Sequence, residues 1–145
     1  MRTWSVTSCA FLVAAASGCS TIEYKADSEV VKRLGAAEAK TKLKALAMGA
    51  AATGGGVVTS VDVTDESLKV KSQQTTLGLF YVPETRQLEN EVYFRAVDRV
   101  DLYSNKWAYV YASGGRLVLQ VLFKTLEETK SFADLVLSFK AQQGG

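Results

Sequence analysis

The sequence predicts an α+β domain: an N-terminal helix, an antiparallel sheet of about six to seven strands and a C-terminal amphipathic helix. Three observations carry this expectation. Residues 29–50 are rich in Ala, Lys, Glu and Leu, and their larger apolar residues recur three and four apart. From Val57 the period changes to alternation, and from Thr125 it returns to helical.

Taken in order, residues 20–28 read as a short tether spanning at most about 30 Å when extended. Asp27 or Ser28 is placed to cap a helix starting near Glu29, and Val30, Val31, Leu34, Leu43, Leu46 and Met48 give that helix one packing stripe. Gly35 is a point where the helix bends or splits, and Gly54-Gly55-Gly56 ends it. Residues 57–63 read as a strand with Val57, Thr59, Val61 and Val63 on one face. Turn residues 64–67 lead into a return strand at Leu68–Lys71. Thr75 to Val82 reads as a third strand stopped by Pro83, and polar residues 84–90 as a loop.

The second half has the stronger β signal. Val92-Tyr93-Phe94 leads into Val97–Tyr103, and Ser104-Asn105 is a turn. Trp107, Tyr109 and Tyr111 then share one face of a strand, with Ala108 and Val110 on the other. Gly114-Gly115 is hairpin-turn chemistry, and Leu117, Leu119, Val121 and Phe123 line one side of the next strand. Thr125 with Glu128 makes a capping box, and Phe132, Leu135, Val136 and Phe139 fall at i, i+3, i+4 and i+7.

The N-terminus carries an address. Arg2 precedes a short apolar run that ends in Ala16-Ser17-Gly18-Cys19. This resembles the lipobox of bacterial lipoproteins. The resemblance implies a signal peptide at 1–18, cleavage before Cys19, a diacylglyceryl thioether on its sulfur and fatty acylation (palmitate) of its new amino group. Small residues before the cysteine let an extended backbone enter a peptidase cleft, and only a thiol can form the thioether. Ser20, where Asp is the usual inner-membrane retention signal of this family, implies an outer-membrane lipoprotein facing the periplasm. An ordinary secretory peptide cut near residues 14–16, or an uncleaved anchor, is the competing reading. Cys9 falls in the signal peptide, so the mature chain would have no internal disulfide.

Beyond the tether at 19–28, residues 29–142 read as one domain. From residue 57 to 142, Phe94-Arg95-Ala96-Val97-Asp98-Arg99-Val100-Asp101-Leu102-Tyr103, the Trp107–Tyr111 strand, Leu117–Phe123 and the Phe132-Ala133-Asp134-Leu135 helix follow one another in a rhythm that resembles small bacterial pleckstrin-homology-like (PH-like) domains. That resemblance implies a strongly bent sheet plugged at one end by the last helix. Such folds host lipid, peptide and protein binding alike.

Composition narrows the chemistry. Seventeen basic and fifteen acidic residues give a net charge of +2, without the basic excess a nucleic-acid partner calls for. The lysines at 40, 42 and 44 are spread round a helix rather than gathered on one face. The chain has no histidine, which removes the usual general base and most transition-metal sites. Asp98 and Asp101 sit an odd number of residues apart on one strand, hence on opposite faces, and Glu127 and Glu128 suit a helix N-terminus. Residues 54–56 run from helix to strand, the reverse of a phosphate-cradling loop. No catalytic residue, metal or cofactor is therefore expected. The site expected is the row Trp107, Tyr109 and Tyr111, with Tyr93 and Tyr103 as possible companions, at least one ring being well exposed. It would engage a protein or peptide, with a lipid or small envelope molecule as the alternative ligand.

Overall fold

The computed structural model describes residues 21–52, 55–104 and 106–144. The lipobox with Cys19, Gly54 and Asn105 lie outside the described residues. The order of elements is β1 (Thr21–Glu23), α1 (Val30–Leu34), α2 (Ala36–Gly49), β2 (Ala51–Ala52), β3 (Gly56–Val63), β4 (Ser67–Leu77), β5 (Pro83–Tyr93), β6 (Val97–Tyr103), β7 (Trp107–Ala112), β8 (Arg116–Leu122) and α3 (Leu126–Gln143). The fold is α+β, with one antiparallel sheet in the order β1-β6-β7-β8-β2-β3-β4-β5. Among the described residues six of its strands are six residues or longer, and β1 and β2 are short additions that bring the count to eight.

Residues 21–23 are a correction to the tether. They pair with β6 in the register Thr21↔Tyr103, Ile22↔Leu102 and Glu23↔Asp101, so the sheet begins two residues after Cys19. The N-terminal helix is split where expected: Gly35 adopts φ +85°, a conformation a side chain disfavours, and separates α1 from α2. Asp27 meets this helix by accepting from Glu29 N–H at 3.0 Å. Ser138, buried on α3, accepts from Val31 N–H at 3.0 Å and donates to the Ser28 carbonyl at 2.8 Å, which holds α1 against α3.

α3 forms as its sequence dictates. Thr125 Oγ1 accepts from Glu128 N–H while the Glu128 carboxylate accepts from Thr125 N–H, closing the capping box. Its apolar face is buried throughout: Phe139 stacks on Phe94 at 4.8 Å between centroids, and Phe132 lies 5.1 Å from Phe123. Leu43 and Ala47 of α2, Val100 of β6, Val110 of β7 and Val121 of β8 join the same core. Among the described residues its buried apolar side chains come from residues 31–139, with Tyr24 and Val30 packed against them.

Two β expectations are overturned. Val57 faces solvent and Val58 the core, because a bulge between Val58 and Ser60 shifts the alternation before Val61 returns inward. The region after Leu68 is one long hairpin: β4 runs unbroken to Leu77, Pro83 begins β5 opposite it, and residues 84–90 are strand rather than loop. Pro83 sits on an edge strand, where its missing N–H costs no ladder bond. At the base of this hairpin Leu68, Val70 and Val92 are buried. From Thr75 to Glu89 almost every residue is exposed on both faces, so the distal part is an arm standing free of the core.

Candidate functional site

The expected aromatic row is assembled by strict alternation along β7. Ala108, Val110 and Ala112 are buried under the helices' side of the sheet, while Trp107, Tyr109 and Tyr111 project from the opposite face. None is packed beneath the N-terminal helix. None is fully open either: all three are half-buried, because they cover one another and their neighbours. Tyr103, across from Trp107 in register, stacks on Tyr109 at 5.7 Å, and the Trp107 ring lies 6.3 Å from Tyr109, tilted by 58°. Tyr93 is exposed at the end of β5, a different strand, and makes no ring contact with the row among those described.

Two charged residues that sequence reasoning had not placed here complete the surface. Arg99 and Asp101 lie on β6 beside Tyr111 and Tyr109 in register. The Arg99 guanidinium sits 4.3 Å above the Tyr111 ring, a cation–π contact. Its Nε is 3.2 Å from both Asp101 oxygens but is aligned to donate only to Oδ2, which leaves the buried Oδ1 without a hydrogen-bond partner. That hydrogen bond to Asp101 holds the Arg99 guanidinium above even its ordinary pKa. The one available signal was period two: Arg99, Asp101 and Tyr103 alternate with Val100 and Leu102, as the aromatics do on β7. Asp98, by contrast, is exposed and Asp101 buried, so the two carboxylates form no pair.

The concavities are shallow. One of about 250 Å³ is an open groove between α2 and the start of α3, lined by Lys42, Leu46, Lys124 and Glu128. Another of about 200 Å³ lies where α1, α2 and α3 meet, with Arg33, Lys42, Ser131 and Asp134 at its walls. Neither is an enclosed apolar chamber of the kind that swallows an acyl chain or a small ligand. Among the described residues no group of three or more Cys, Asp or Glu side chains could hold a metal ion, and no helix is long and apolar enough to cross a membrane. Comparison with protein-family models, with curated proteins and with solved structures finds no match, so the surface must be read from its own geometry.

Proposed function

We propose that this chain is a non-enzymatic lipoprotein of the bacterial envelope, acylated at Cys19 and held at the outer membrane facing the periplasm, whose domain binds a protein or peptide across Trp107, Tyr109 and Tyr111. One observation carries the binding half: a contiguous aromatic row on the sheet face away from the helices, bordered by the Arg99–Asp101 ion pair. Tyr and Trp supply large contact area with few rotatable bonds, and Arg beside them adds directed donors. The row lies half-buried along an outer sheet face, which suits a macromolecular contact better than a small ligand. The shallow concavities speak against the alternative of an internal lipid or metabolite carrier.

The finer architecture belongs to the same proposal. A PH-like bent sheet is supported by the base of β5 meeting β8, four positions away in the strand order, where Glu91, Tyr93, Arg116 and Val118 line one crevice. The anchoring half rests on the Ala16-Ser17-Gly18-Cys19 motif. Two measurements on one preparation test the whole reading. Intact mass of the chain extracted from membranes should show a start at residue 19 with added diacylglyceryl and acyl mass; a start at residue 17, or a retained Met1 without lipid, refutes the anchor. Affinity capture from detergent-solubilised membranes should recover a partner with the parent chain and lose it with Trp107→Ala. Equal recovery with both refutes the binding face.

A further inference from the structure

We propose that the tip of the β4–β5 hairpin inserts into the lipid bilayer, giving the domain a second membrane contact besides the acylated Cys19. The proximity it uses rests on the proposed anchor. The tip is an apolar cluster with no cover. Leu77, Leu79, Phe80, Tyr81 and Val82 are 71, 79, 86, 85 and 58% exposed, on an arm already free of the core. A soluble surface rarely gathers five large apolar side chains on one protrusion.

Its backbone makes the choice of residues costly. Phe80 and Tyr81 both adopt φ +62°, the left-handed region where turns ordinarily place Gly or Asn. Two successive aromatic residues in that region, stabilised by no burial, indicate that the side chains matter for something outside the fold.

Three features favour lipid over a protein partner. First, residues 72–83 carry no charge, with Lys71 and Glu84 the nearest on either side, so the tip can leave water without burying an ion. Second, the apolar groups point all round. Leu77 pairs with Pro83 on one face, and Val82, the extended residue just before Pro83, projects from the other. A protein partner would need one contact face, whereas hydrocarbon accepts every direction. Third, Tyr81 suits the interfacial zone, where its ring can sit among lipid while the phenol stays wet. Position matters as well. β1 is in the sheet from Thr21, so lipid on Cys19 would hold the body within about 7 Å of the bilayer. A domain pivoting on so short a link can lower the arm onto the membrane.

The test replaces Phe80 in the full chain with a photoreactive benzoylphenylalanine, with Lys44 on exposed α2 as the control position. Illumination of intact membranes should give a phospholipid adduct at position 80, several-fold above position 44. An adduct to a second copy of the chain or to another protein, or no excess of lipid adduct, overturns the proposal. The same spectra report acylation of residue 19: lipid adduct at 80 without acylation would remove the anchor and leave insertion standing. A second arm uses residues 20–145, which contain every core side chain among the described residues, and vesicles of phosphatidylethanolamine and phosphatidylglycerol. Leu79→Asp with Phe80→Asp should lower the floated fraction at least fivefold with an unchanged melting temperature; equal flotation of parent and variant overturns it.

Discussion

The Ser138 hydroxyl on α3 sits 3.0 Å from the Val31 amide nitrogen and accepts its hydrogen while donating to the Ser28 carbonyl, so one buried side chain ties the start of α1 to the last helix. A serine in mid-helix is usually neutral or slightly unfavourable, yet here it satisfies two backbone groups at a packed junction. Ser138→Ala should cost about 1–3 kcal/mol, the penalty for leaving buried polar groups unpaired. Chemical denaturation measures that loss. Hydrogen exchange should show the Val31 amide losing protection before the amides of α3. A stability loss below about 0.5 kcal/mol with unaltered exchange would mean that water replaces the hydroxyl.

Phe132 is fully buried against Phe123, and truncating such a side chain to Ala costs about 3–5 kcal/mol, much of the ~5–15 kcal/mol holding a domain together. Lys130, two residues earlier, makes only an exposed 3.6 Å ion pair with Glu127, worth about 0.5 kcal/mol or less. Thermal melts of Phe132→Ala and Lys130→Ala should therefore differ widely. Similar small shifts would show that α3 does not close the core.

Three helical features were legible in the sequence because each was local, whereas the Ser138 contacts span 107 and 110 residues and were not. The capping box at Thr125 and Glu128, the four-residue apolar stripe of α3 and the break at Gly35 all depend on residues within a turn or two of one another. The β4–β5 arm was illegible for the opposite reason. Beyond Ser72 neither of its faces is buried, so no alternation of apolar and polar residues marks it as strand. It is held instead by cross-strand pairing that spacing along the chain does not reveal. Lys71 and Glu89 face each other with Nζ and carboxylate 3.2 Å apart, and the Thr75 and Thr85 hydroxyls lie 3.3 Å apart. The bulge at Val58/Ser60 likewise inverts a pattern that is regular in sequence. The aromatic row was readable from alternation alone, but Arg99 and Asp101 came to it only through the β6–β7 register.

Tyr24 gives the fold a dependence on alkaline pH. Burial first, and then the Asp134 carboxylate to which it hydrogen-bonds, push its phenol from 10.0 up to about 12. In the unfolded chain it ionises near 10, so the unfolded state loses its proton first as pH rises. Stability from this group is complete below pH 10, declines between 10 and about 12, and is gone above. Urea midpoints measured at pH 9, 10 and 11 should fall more steeply for the parent than for Tyr24→Phe, which keeps the ring and removes the titration. Parallel curves would show that the phenol is solvated in both states.

The aromatic face yields the sharpest separation of stability from binding. Trp107 is half-buried, but its cover is largely Tyr109 and the adjoining strands of an outer surface rather than the core beneath α3. Losing the indole forfeits one aromatic pair, worth about 0.5–1.5 kcal/mol, together with part of its buried area. Trp107→Ala should thus destabilise the domain far less than Phe132→Ala. At an interface the same ring would be a hot spot, where truncation costs 2 kcal/mol or more, about a thirty-fold loss of affinity. Arg99→Ala should weaken the partner as well, because it removes both the cation over Tyr111 and the group that neutralises Asp101. Titration of each variant against the captured partner, beside its melting curve, decides the matter. If Trp107→Ala melts as low as Phe132→Ala, the ring is structural and any loss of partner is a loss of fold. If stability holds and affinity falls thirty-fold, the β7 face is where the partner sits.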